Sequence, residues 1–116
     1  MVTSDDPLIT ARALVLRDLT ATEVATPANV SLLESAVAQR RWWLEQWAEG
    51  RPFVAGLVAQ DVQDALLGSA GRWPLCRACD APASHALYVD PDIGGPDPHW
   101  VCEESGTVVA PLGGLS

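Results

Sequence analysis

All three cysteines and both histidines of the chain fall between Trp73 and Leu112. Cys76 and Cys79 form a C-x-x-C pair, the spacing at which a tight turn aims two thiolates at one tetrahedral ion with sulfur about 2.3 Å away. Cys102 stands in a second group, Trp100-Val101-Cys102, followed by two acids, then Ser105 and Gly106, then Thr107-Val108-Val109. A second knuckle would carry its other cysteine where Ser105 stands, and a serine hydroxyl is a poor zinc ligand at neutral pH. The fourth donor is then a histidine. His85 opens the apolar segment Ala86 to Val89, which reads as the return strand of the first knuckle, and from there it can face the site. His99 lies three residues before Cys102, so on an extended strand the two side chains point to opposite faces. It reaches the site only if the chain turns between them. The expected ligand set is Cys76, Cys79, His85 and Cys102, with His99 standing as the alternative to His85.

Three thiolates and one imidazole close the coordination shell of zinc and leave no position for a water to be activated, so the expected role of the ion is structural. The plainer alternative is that the cysteines are small buried hydrophobes in a ribbon that has lost its metal. A thiol redox enzyme would place Cys76 and Cys79 at a helix N-terminus, where the dipole lowers the thiol pKa. Here the pair follows Trp73-Pro74-Leu75 and precedes Asp80-Ala81-Pro82, which does not read as a helix start, and Asp80 would raise the pKa. No serine or cysteine has a histidine at a spacing typical of hydrolases. The sequence therefore names no catalytic residue, no small-molecule substrate and no cofactor besides zinc.

These residues need elements to hold them. A segment as short as the one from Gly71 onward buries too little apolar surface to fold alone and needs a metal or a partner. Asp6 and Pro7 suit a helix N-cap and first turn, with Leu8, Ala11, Val15 and Leu19 as one face. The run Ala11 to Leu16 also tolerates an edge strand, or an arm that orders on a partner. Thr20 to Ala28 reads as a linker. Ser31 and Glu34 form a capping box for a helix ending at Gly50, with Leu33, Ala36, Val37, Trp43, Leu44 and Trp47 as its apolar face and Trp42 to one side. Arg40 and Arg41 read as rim residues with buried stems and exposed heads. A further helix runs from Pro52 to Leu67 and stops at Gly68. The short link at Gly50-Arg51-Pro52 folds the two helices back as an antiparallel hairpin. Gly56 inside the second of them suggests that a backbone or tryptophan ring passes close by. Asp90 to Pro98 reads as a turn-rich loop between strands.

The fold class expected is α+β: an N-terminal arm and linker (1–28), a helical hairpin (29–70) and a small zinc-ribbon-like β module (71–116). Composition narrows the function. The net charge is −8, with seven arginines and no lysine, and no segment is basic. Direct nucleic-acid binding is therefore not expected, since phosphate neutralisation needs clustered cations. The start of the chain does not read as a secretory signal, and no apolar run approaches the ~20 residues needed to cross a bilayer. A cytoplasmic location, where thiolate ligands are more natural than disulfides, is the expectation.

The pattern W-P-x-C-x-x-C, a following H-A-L, then W-V-C-x-x-S-G and a terminal V-A-x-x-G-x-L resembles small uncharacterised zinc-ribbon-like proteins of high-GC, actinobacterial-type bacteria. The likeness covers the C-terminal segment and, more loosely, Leu57 to Leu67. It implies a Cys/His metal site at Cys76, Cys79, His85 and Cys102 and brings no activity with it. The functional expectation is a non-catalytic zinc-binding adaptor in a larger protein assembly, meeting a protein partner or a second copy of itself. The alternatives are a zinc-ribbon factor associated with nucleic-acid machinery through protein contacts, or a C-x-x-C thiol redox protein.

Overall fold

A computed structural model describes residues 6–77, 79, 85–91 and 96–116. It is α+β: three helices, α1 (Pro7–Ala21), α2 (Pro27–Gln46) and α3 (Val54–Leu67), are followed by an antiparallel sheet of β1 (Leu87–Asp90), β2 (His99–Cys102) and β3 (Val108–Pro111), in that spatial order. Among the described residues no helix is long and apolar enough to cross a membrane.

The helical reading of the first segment is the one observed. Asp6 caps α1 by accepting the Leu8 amide at 2.9 Å, and Pro7 occupies the first turn. Leu8, Ala11, Val15 and Leu19 are fully buried, as their spacing of three and four requires. An edge strand over Ala11 to Leu16 is excluded, because the cap and this periodic face act together. Asp6 pairs with Arg41 and Arg12 with Glu34, so α1 runs antiparallel to α2.

The start of α2 lies earlier than the Ser31–Glu34 capping box. Thr26 is the cap, its hydroxyl accepting the Asn29 amide at 3.1 Å, and Pro27 supplies the first turn. The buried Asn29 side chain donates to the Val24 carbonyl at 2.8 Å and ties the turn down. The Thr-Pro pair preceded the capping box and did the same chemistry first. Between α2 and α3 the chain makes a 3₁₀ turn over Ala48–Phe53. Gly50 is buried there because a Cβ would lie 2.5 Å from the Trp43 ring. Its small size, not a left-handed stop, is what the position needs. Gly56, where the sequence expects a backbone or tryptophan ring close by, is buried within α3. Trp47 is exposed at its rim, 43%, stacked on Phe53 and edge-on to Trp43, so it is not core. Arg40 holds Asp61 of α3 through two bonds, 2.6 and 3.0 Å, and its guanidinium sits 5.3 Å from the Trp43 ring centroid. That bidentate contact joins the hairpin. Helix α3 ends at Leu67, and the Gly71 amide reaches back 2.8 Å to the Leu66 carbonyl at φ +96, so Gly71 is the residue that turns the chain.

The sheet pairs Leu87 with Cys102 and Val89 with Trp100, and an irregularity between Trp100 and Val101 shifts the β2–β3 register. An isolated bridge, Leu75 to Ala86, extends the β1 side. Leu87, Val89, Trp100 and Cys102 join Leu8, Val15, Leu33, Val58, Val62 and Leu66 in one continuous buried cluster, so the helices and the sheet share a core. The middle of the Asp90 to Pro98 loop and the Asp80-Ala81-Pro82 segment lie outside the described residues.

Candidate metal centre

Three chain segments converge to build the site. Cys76 follows the Leu75–Ala86 bridge, and its amide donates 2.8 Å to the His85 carbonyl, which sets the loop carrying Cys79 beside His85. Cys102 is the last residue of β2, opposite Leu87. Beyond it the chain reverses: the Gly106 amide donates to the Cys102 carbonyl and the Cys102 amide to the Thr107 carbonyl, both at 2.9 Å, with Gly106 at φ +72. A turn therefore falls between Cys102 and Thr107, where the sequence spacing suggests one, and glycine is the residue that tolerates its left-handed backbone.

The four donors lie within 4.8 Å of one another. Cys79 Sγ is 3.8 Å from Cys76 Sγ and 3.7 Å from Cys102 Sγ, and His85 Nε2 stands 3.3 Å from the sulfurs of both Cys79 and Cys102. A tetrahedron with metal–sulfur bonds of about 2.3 Å and a metal–nitrogen bond of about 2.0 Å has sulfurs about 3.8 Å apart and a nitrogen about 3.5 Å from each sulfur. The four edges joining Cys79 to Cys76, Cys102 and His85, and His85 to Cys102, lie within about 0.2 Å of that figure. They are far from the ~2.05 Å of a disulfide, and none of the three cysteines is disulfide-bonded. Cys102 and His85 are buried, while Cys76 and Cys79 are half-buried at the rim. The cluster could hold one metal ion with four protein ligands.

Ser105 takes a different part from the cysteine it replaces in the pattern. Its amide points at Cys102 Sγ, 3.4 Å away, and its hydroxyl contacts Thr107. The Ser105 hydroxyl and amide, with His85 adding less, bring the Cys102 thiol down from 9.0 to about 6 although burial opposes them. The shift favours the thiolate, the form a metal binds. His99 stands outside the cluster. Its Nδ1 contacts the Asp97 carbonyl at 2.6 Å, consistent with a strand that sends His99 and Cys102 to opposite faces.

The residue that sequence reasoning passed over is Asp18. It is fully buried in α1 and accepts the indole N–H of Trp100 at 2.7 Å, the Gly113 amide at 2.7 Å and the Leu115 amide at 3.0 Å. Trp100 lies two residues before Cys102 on β2, so Asp18 ties the helical layer to the strand that ends at the metal cluster. A signal was present: Asp18 continues the Leu8, Ala11, Val15 stripe at helical spacing, and a carboxylate on an apolar face needs partners. Trp73 and Gln63 complete the seam. The Trp73 indole donates to the Thr22 hydroxyl at 2.9 Å and packs edge-on against Trp100, while the Gln63 amide donates to the carbonyls of Trp73 and Leu87.

Comparison with known proteins gives a match to the family described as a domain of unknown function (DUF8819), over residues 4–112. No curated protein and no solved structure gives a significant match.

Proposed function

The chain belongs to the DUF8819 family, and from that premise we propose that it is a non-catalytic, zinc-stapled interaction module, a small adaptor in a larger protein assembly. The observation that carries the zinc is the set of donor–donor separations at Cys76, Cys79, His85 and Cys102. Three soft thiolates with one imidazole favour zinc over the hard cations, which prefer oxygen. Four protein donors close the shell, so the ion staples the Cys76–Cys79 loop, His85 and the end of β2 and activates no water. The zinc-ribbon-like character of the module rests on the same pairing of knuckle and strand.

The adaptor role is supported by the far end of the helical layer. There Trp42 is 65% exposed, with Trp47 and Ile9 also exposed, and large aromatic side chains are enriched where proteins meet. The charge of −8 favours partners with basic surfaces over nucleic acid itself. A redox enzyme at Cys76 and Cys79 fits less well, since both sulfurs belong to one cluster with Cys102 and His85.

Native mass spectrometry with and without chelator tests the proposal, reading metal stoichiometry and self-association together. One zinc per chain is expected. A chain that arrives without metal, takes up none, and melts at the same temperature with or without chelator overturns it. For the partner, crosslinking in the source cell followed by the same experiment with Trp42→Ala should lose the captured protein.

A further inference from the structure

We infer that the cluster is a peroxide-responsive zinc switch, in which a hydroperoxide oxidises Cys76 and Cys79 to a disulfide and the zinc ion leaves. This rests on the zinc reading above and adds the regulation of that site. The four donors are unequal in exposure. Cys76 and Cys79 are half-buried in a short loop whose neighbours Leu75 and Arg77 are exposed. Cys102 and His85 are buried. Cys102 is further fixed by strand pairing with Leu87, by the two backbone bonds of the Cys102–Thr107 turn, and by the Ser105 amide on its sulfur. A small oxidant reaches the rim pair first.

The chemistry balances with hydrogen peroxide as the two-electron acceptor; an organic hydroperoxide would release alkoxide instead of hydroxide in the first step. One rim thiolate attacks the peroxide oxygen, the O–O bond breaks, hydroxide leaves and a sulfenic acid forms. The other thiolate attacks that sulfur, the S–O bond breaks, a second hydroxide leaves and the S–S bond forms. Two thiolates are oxidised, one peroxide is reduced, and zinc keeps its charge throughout. The sulfurs start 3.8 Å apart and must close to about 2.05 Å, a movement within reach of a C-x-x-C loop. Cys102 is as near to Cys79 as Cys76 is, at 3.7 Å, so proximity does not select the pair; exposure and the anchoring of Cys102 do. After the step, only His85 and Cys102 remain as ligands, and two donors do not retain the ion.

The test uses the full chain loaded with zinc, titrated with hydrogen peroxide, with released zinc read by a chromogenic chelator and disulfides mapped by alkylation and mass spectrometry. The expected result is one zinc released per disulfide, the disulfide joining Cys76 to Cys79, Cys102 still open to alkylation after unfolding, and recovery on adding reductant and zinc. A cobalt-loaded sample should lose its thiolate-to-cobalt absorption in step. A loaded chain that keeps its metal while a free thiol in the same tube is consumed overturns the switch and leaves the structural zinc standing. A disulfide to Cys102, or release without a disulfide, also overturns it. A chain that takes up neither zinc nor cobalt before peroxide is added overturns both readings.

Discussion

At the residue scale, the ligand set and the buried carboxylate make distinct predictions. His85→Ala removes the only nitrogen donor of the cluster and should weaken zinc binding by roughly 100-fold or more, measured by competition with a chromogenic chelator. His99→Ala should leave that affinity unchanged, because His99 faces the Asp97 carbonyl instead. Asp18→Ala strips three donors of their acceptor in the core and should cost about 3 kcal/mol, read from chemical denaturation. Asp18→Asn keeps one acceptor oxygen and should cost less. If neither variant loses stability, the carboxylate is not what holds the C-terminal amides. The cysteines were legible because C-x-x-C spacing is a local property. Asp18 was not read, because its partners lie more than eighty positions away in the chain.

At the scale of elements, caps and contacts set where each helix begins and ends. Asp6→Ala should cost about 1 kcal/mol. The Asp6 carboxyl lies below its usual 3.8, chiefly because the Leu8 amide bonds to it, with Arg41 helping. A depressed carboxylate stabilises the fold above its unfolded pKa and loses that contribution as pH falls through the folded value. The gap between wild type and Asp6→Ala should therefore be full at neutral pH and shrink below about pH 4, followed by thermal melts across pH. Gly50→Ala places a methyl carbon against the Trp43 ring and should destabilise by about 1–3 kcal/mol; thermal melting reads it. Periodicity gave the existence and most of the apolar faces of α2 and α3, and for α1 it gave a face that only the structure separated from an extended reading. It misplaced the start of α2, since two capping signals lay five residues apart and only the packing of Asn29 onto Val24 separates them. It also put Trp47 in the core, where the 3₁₀ turn instead leaves it stacked on Phe53 at the surface.

At the scale of the molecule, the chain measures 47 × 28 × 27 Å, with helices and sheet joined by a single buried cluster. Neither layer closes its core without the other: Trp73 and Trp100 sit against α1 and α3 residues, and Asp18 and Gln63 cross the seam with hydrogen bonds. Chelation should therefore destabilise the whole chain, not the sheet alone. Unfolding followed by helical circular dichroism and by tryptophan fluorescence should coincide in one transition and move together to lower temperature when metal is removed. Two separated transitions would show that the layers fold independently.

The sequence by itself determined what depends on near neighbours: an α+β chain, most of the helix faces, the strands with the turn after Cys102, and four residues of the right chemistry for a metal. Tertiary structure alone decided which histidine joins the three sulfurs, because the choice turns on the direction of β2 and on the loop that His85 closes with Cys76. It alone assigned Ser105 to the support of a thiolate through its amide. It alone joined the helical layer to the strand that ends at Cys102 through Asp18, a contact between residues far apart in the chain that meet only when both layers bury their apolar faces together.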